Sequence, residues 1–229
     1  MARLGDVHRR HGPPQAPAFV AALDRREYDM IQLEQKVEEI KISHLVTSMA
    51  LYNYRTCQER FGSPYQIGRA VAGGRLHKMD KGVYSDTGKE TELEVLQFKY
   101  PDSVATLGTA YYFYDMTDVV PDEYDFVTAR SDGRIKDDRI RQYYVPVEVL
   151  KVGMVTADFN GEKVRTYDLE RLLIETARMK SALPSDLYKE VILEFRKRTE
   201  SMYPAKIGEY LVGFPKRDLI ERIIDEEVF

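Results

Sequence analysis

The sequence predicts an α+β fold in two unequal parts. The first is a small helix-turn-helix module with a basic β-ribbon, and the second is a larger mixed α/β domain that ends in a helical bundle. Three observations predict it. Two short helical segments flank Gly62-Ser63-Pro64 and are followed by Gly73-Gly74 and a basic hairpin-like stretch. Alternating runs on either side of Asn160-Gly161 form a strong two-residue hairpin signal. From Leu169 onward, apolar residues recur at helical spacing in four successive segments.

Composition fits a packed globular chain and excludes several classes. Hydrophobic residues make up 43% of the 229 and charged residues 31%, so the chain can build a core and is not low-complexity. No apolar run approaches the roughly 18 residues of a membrane helix, and no h-region with a cleavage site marks a secreted protein. Cys57 is the single cysteine, so no internal disulfide can form, which fits a reducing, cytoplasmic setting. The net charge of −4 argues against a general nucleic-acid binder, but the charge is unevenly spread. Between Tyr52 and Tyr84 stand six basic residues, Arg55, Arg60, Arg69, Arg75, Lys78 and Lys81, against Glu59 and Asp80. A compact basic module on an acidic body is the footprint of local phosphate binding.

Residues 1–26 read as a disordered tail, with Pro13, Pro14 and Pro17 and no sustained period. Met30 and Met49 are alternative starts. Residues 27–48 read as a helical extension. Met30, Leu33, Val37, Ile40, His44, Thr47 and Leu51 alternate at three and four, an a/d seam that offers homodimerisation through 30–51 or packing on its own domain. Residues 49–86 form the module. A short helix over Tyr54–Phe61 stops at Gly62. Ser63 is a good N-cap and Pro64 suits the first helical position. In the second helix Ile67, Ala70 and Val71 face inward, and Gly73-Gly74 ends it. Arg75 to Tyr84 reads as a hairpin with Leu76 and Val83 in its strands and Asp80-Lys81-Gly82 in its turn.

Residues 87–229 form the second domain. A helix is expected over Thr91–Lys99, stopped by Pro101, then a short buried segment at Ser103–Leu107 and a tyrosine-rich helical turn at Thr109–Tyr114. Tyr124–Thr128 and Gln142–Val149 read as strands, as do Val152–Phe159 and Lys163–Tyr167. Helices follow on Leu169, Leu172, Leu173 and Ala177; on Leu187, Val191, Ile192 and Phe195 with Ser185 as cap; after Pro204; and after Pro215.

If Ile67, Ala70 and Val71 face the core, Gln66 and Arg69 face out together, one turn apart. Gln pairs bidentately with adenine and Arg with guanine in the major groove. Tyr65 can reach phosphate or a thymine methyl, and the first-turn N–H groups near Ser63 favour phosphate. Arg55, Arg75, His77, Lys78 and Lys81 can grip the flanking backbone, the hairpin residues acting as a wing. This outline, a winged helix-turn-helix, makes the candidate DNA contacts Arg55, Ser63, Tyr65, Gln66, Arg69, Arg75, His77, Lys78 and Lys81. A winged helix that binds another protein, without sequence-specific DNA binding, is the alternative reading.

Catalytic and metal motifs are not found in the sequence. There is no P-loop, no Gly-x-Gly-x-x-Gly and no His-Glu-x-x-His. Gly62-Ser63 superficially resembles the start of a nucleotidyltransferase signature, but the paired acidic residues which that chemistry needs do not follow. His8, His11, His44 and His77 are scattered. Cys57 reads as a small core residue, and Asp168, Glu170 and Glu175 as the capped, acidic start of a helix, with a ligand or partner contact as the other reading. No catalytic residue, metal site or cofactor is therefore expected, and the chain reads as a non-enzyme. Asp225-Glu226-Glu227 reads as a solvated end.

Tyr65-Gln66-Ile67, Gly73-Gly74-Arg75-Leu76 and Lys81-Gly82-Val83-Tyr84 together resemble the N-terminal winged helix of AbiEi-family antitoxins. Thr109-Ala110-Tyr111-Tyr112 resembles that family's small-Ala-Leu-Tyr helix, Thr117-Asp118 with Pro121 its Thr-Asp…Pro, and Tyr167-Asp168-Leu169-Glu170-Arg171 its Tyr-Asp-x-Glu-Arg. The likeness runs in order from about Tyr54 to Val228. Thr109 stands where the family has serine, and aromatic residues stand where it has leucine. The resemblance implies a transcriptional autorepressor that binds operator DNA upstream of its own operon. It also implies the antitoxin of a bacterial type IV (abortive infection) toxin–antitoxin system, whose partner is a nucleotidyltransferase-like toxin that it counteracts without a stable complex.

Overall fold

The computed structural model describes residues 51–159 and 161–229. The expected tail, helical extension and dimer seam up to residue 50 lie outside the described residues, as does Asn160 of the hairpin turn. The chain is an α+β protein with two sheets, and Ala50–Phe229 form one compact unit.

The first sheet has the order β1-β3-β2 and is antiparallel throughout. β1 (Leu51–Asn53) lies beside β3 (Val83–Ser85), which pairs on its other side with β2 (His77–Asp80). Two helices lie between β1 and β2, α1 (Tyr54–Phe61) and α2 (Pro64–Ala72). Asn53 ends the strand and starts α1, because its side-chain oxygen accepts the Thr56 N–H at 2.9 Å. Cys57, Ile67, Ala70, Leu76 and Tyr84 form a small core beneath these elements.

The second sheet has five strands in the order β6-β5-β4-β8-β7. They are β4 (Val104–Ala105), β5 (Tyr124–Ala129), β6 (Ile140–Val145), β7 (Met154–Phe159) and β8 (Glu162–Tyr167). The pairs β5/β6 and β4/β8 are parallel, and the other two are antiparallel. Side chains alternate across a strand, and here the two faces feed two cores. Ala105, Phe126, Ile140 and Val164 face α3 (Glu92–Lys99) through Leu93 and Leu96. Val104, Val127, Val145 and Tyr167 face the larger core with α4 (Leu107–Phe113) and α6 (Leu169–Arg178). Coverage on both faces explains why β5 is buried from Asp125 to Ala129. The remaining helices, α7 (Ser185–Lys197), α8 (Pro204–Tyr210) and α9 (Arg217–Glu227), add Phe195, Ile207, Ile220 and Ile224 to that same core.

Several expectations need correction. Leu51 does not close a heptad seam; it pairs with Ser85 in β1, because β3 offers a free ladder edge that a helix end would leave unpaired. The strand expected to Val149 stops at Val145. Pro146 has no N–H to give the ladder, and a short helix α5 (Val147–Leu150) follows. Ser185 makes no capping bond; it lies inside the first turn of α7 behind Pro184. Glu227 is no solvated end, since it accepts the Tyr188 hydroxyl at 2.6 Å and pairs with Lys180. Leu76 is buried just before β2 rather than within it.

Candidate nucleic-acid interface

The geometry of α2 is set by its two ends. Ser63 Oγ accepts the Gln66 N–H at 3.3 Å, and Pro64 begins the helix with a fixed φ. At the other end the Arg75 N–H reaches Ala70 O at 3.0 Å and the Gly74 N–H reaches Val71 O at 3.1 Å. That nested pair is a Schellman stop, and it requires the left-handed φ of +68° that Gly74 adopts. The chain then turns directly into Leu76 and β2.

Between these ends the helix is amphipathic. Ile67 and Ala70 are buried and Val71 is half-buried. Tyr65, Gln66 and Arg69 are exposed, with Tyr65 70% accessible, far more than a core aromatic shows. Gln66 and Arg69, three residues apart, lie on one face. Arg75, His77 and Lys78 are exposed, and so is Lys81 in the turn after β2. Arg55 is exposed on α1 but is paired with Glu59 at 3.2 Å, so its charge is partly spent within its own helix.

Among the described residues, Arg69, Arg75, Lys78 and Lys81 have no ion-pair partner, while each acidic group of the module does. Glu59 takes Arg55. Asp86 takes Arg60 at 2.7 Å and the Tyr52 hydroxyl at 2.7 Å, and Arg60 lies over the Tyr52 and Phe61 rings. Asp80 is held by Arg139 at 2.7 Å and by Lys99 at 3.0 Å, both outside the module. The Arg139 guanidinium, against some cost of burial, brings the Asp80 carboxyl down to about 2. Asp80 is therefore ionised at neutral pH, but its charge is matched by the body and not by the hairpin's own lysines. Four cations stay available to an anion.

Sequence reasoning found the exposed set and missed the residues that hold it in place. Asn53, just before Tyr54, carries a local cap signal that the sequence reading did not use. Arg60 with Asp86, and Asp80 with Lys99 and Arg139, join positions far apart in the chain, and no local pattern announces them. Among the described residues no cluster of His, Cys, Asp or Glu is placed to hold a metal. None of the described helices is long and apolar enough to cross a membrane. Cys57 is buried, and burial raises its thiol above the usual range.

No family model matches the chain, and no curated protein matches it. Among solved structures it is similar to the crystal structure of the RV2827C protein from Mycobacterium tuberculosis, at 11% identity and a TM-score of 0.55. The match covers 81% of this chain and 75% of that one. At that identity the likeness is one of fold alone.

Proposed function

We propose that the chain is a sequence-specific DNA-binding autorepressor whose recognition element is a winged helix. The observation that carries the proposal is the outward placement of Gln66 and Arg69 on a helix capped at both ends, followed at once by a hairpin with unpaired cations. A strand, two helices and a hairpin in sheet order β1-β3-β2 support this reading. In this reading α2 enters the major groove. Gln66 and Arg69 read base edges, and Ser63 and Tyr65 meet the backbone at the helix start. Arg75, His77, Lys78 and Lys81 hold the flanking phosphates, with Arg55 at the periphery.

The antitoxin half of the proposal rests on the ordered motifs shared with the AbiEi family. A neighbouring gene carrying a nucleotidyltransferase signature would support it, and a solitary gene would speak against it. The five-stranded domain is then the part that counteracts the toxin.

Mobility shifts with the intergenic DNA upstream of the gene test the recognition half. Gln66→Ala or Arg69→Ala should each cost about 1–3 kcal/mol and relax preference at one base position. Lys78→Ala or Lys81→Ala should weaken binding to all sequences alike and reduce the salt slope by roughly one. Equal losses on operator and shuffled duplex for Arg69→Ala would remove its base-reading role. Weak, salt-insensitive DNA binding beside a stable protein complex would favour the protein-interaction alternative.

A further inference from the structure

Asp80 ties the hairpin to the body. Asp80 Oδ1 accepts the Lys81 N–H at 2.6 Å and so shapes the turn, while Oδ2 takes Arg139 and Lys99. Both cations are shared with a second carboxylate. Lys99 Nζ lies 3.0 Å from Asp137 Oδ2, and Arg139 donates to both Asp137 oxygens at 2.8 Å. Arg139 also reaches Glu92 at 3.1 Å, and the Tyr100 hydroxyl donates to Asp137 at 3.4 Å. The centre of the cluster thus alternates Asp80 and Asp137 with two cations, Glu92 stands at its edge, and only Asp80 belongs to the hairpin. Its centre is shielded, with the side chains of Asp137 and Asp80 only 8% and 18% accessible, so these pairs are screened less than surface pairs.

The ladder supplies a second, independent sign. Lys78 pairs with Tyr84 and Asp80 with Val83, so the register breaks between them by one residue. A bulge of this kind bends a strand and re-aims a side chain. Here it separates Asp80, which turns toward the body, from Lys78, which stays exposed.

We infer that Asp80 is a positioning residue for the DNA interface: through Lys99 and Arg139 it fixes the hairpin on the body, and with it the stand of Lys78 and Lys81 relative to α2. The inference rests on the DNA-binding reading above. It predicts a sign opposite to that of simple charge. Asp80 is an anion beside two phosphate-binding lysines, so removing its charge alone should tighten binding to every duplex. Removing a fastening should instead lower discrimination between operator and shuffled DNA.

The experiment uses the full chain and four variants: Asp80→Asn, Asp80→Glu, Lys99→Met and the double Asp80→Asn/Lys99→Met. Operator and shuffled duplexes are titrated, and amide exchange is followed over His77–Val83 in the free protein. The expected result is a fall in operator-to-shuffled preference of roughly two- to thirtyfold for Asp80→Asn and for Lys99→Met. The double variant should be little worse than either single, as members of one cluster are non-additive. Hairpin amides should exchange faster in the same variants, and Asp80→Glu should recover much of the loss. Lys99→Met keeps a long apolar stem outside the module and carries the test if Asp80→Asn does not fold. Tighter binding to both duplexes with their ratio unchanged, or unchanged exchange over the hairpin, overturns the inference. A wild-type chain that binds both duplexes alike overturns the DNA reading and this role with it, while the exchange result still reports whether Asp80 fastens the hairpin.

Discussion

Asp125 is buried on β5, where its Oδ2 accepts the Gly108 N–H at 2.8 Å and its backbone N–H goes to Thr109 Oγ1 at 2.8 Å. Its other oxygen has no hydrogen-bond partner, and Arg141 stands off at 3.9 Å. Burial is the dominant influence and pushes the carboxyl up to about 6, against the opposing pull of the Gly108 N–H and Arg141. An unfolded Asp titrates near 4, so the folded state prefers the protonated form. That preference is fully present below about pH 4 and is lost as pH rises through about 6, a difference of roughly 3 kcal/mol. Asp125→Asn should therefore gain on the wild type by about 2–3 kcal/mol between pH 4 and pH 7, as read from urea unfolding at the two values. A constant difference would mean that the charge is better solvated than its burial implies. Asp80 has the opposite sign: its contribution is present above about pH 4 and fades as pH falls through about 2. Arg171 is a different case of a buried charge. It is enclosed, lies between the Tyr167 and Phe214 rings at 4.3 and 4.5 Å, and pairs with the equally buried Glu175. Burial raises the Glu175 carboxyl, but Arg171 and Arg178 more than offset this and hold it below its usual range. Neither residue was legible as core from its type, because a charge goes inside only when distant parts of the fold supply its partners.

Elements whose signals are local were the readable ones. α2 carries its start in Ser63-Pro64, its stop in Gly73-Gly74 and its inward face in Ile67 and Ala70, all within twelve residues of sequence. Ser63→Ala should cost about 1 kcal/mol of stability by removing the cap, and Gly74→Ala a similar amount by forcing a Cβ into a left-handed backbone. Thermal unfolding checks both, and an unchanged midpoint for Gly74→Ala would mean that the turn relaxes. The β7–β8 hairpin and α6 were legible for the same reason: alternation in one, and an Asp168 cap that accepts the Arg171 N–H at 3.0 Å in the other. β1 was not, since three residues become a strand only because Val83–Ser85 lies beside them. The end of β6 was misplaced for a simpler reason: the apolar run Val145–Val149 looks continuous, and Pro146 breaks it.

At the scale of the molecule, the sequence suggested a small module and a separate body, and charge distribution supported that division. The described chain ties the two together through Asp80, Lys99, Asp137 and Arg139, whose positions span 59 residues between Asp80 and Arg139. No window of sequence could place them in one cluster, so the candidate interface was legible as a set of residues but not as a positioned surface. One consequence concerns cooperativity. Ala50–Phe229 forms one compact unit, so hairpin and body should unfold in a single transition, with fluorescence and circular dichroism coincident. Two separated transitions would show the fastening to be weak.

The central claim is that α2 reads bases. Selection of bound duplexes from a random pool by the full chain, repeated with Arg69→Ala, tests it most directly. The account predicts that the wild type enriches one recurring motif and that the variant loses preference at a guanine within it while keeping the rest. Recovery of no motif by the wild type, or of the same motif with the same guanine by the variant, would contradict it.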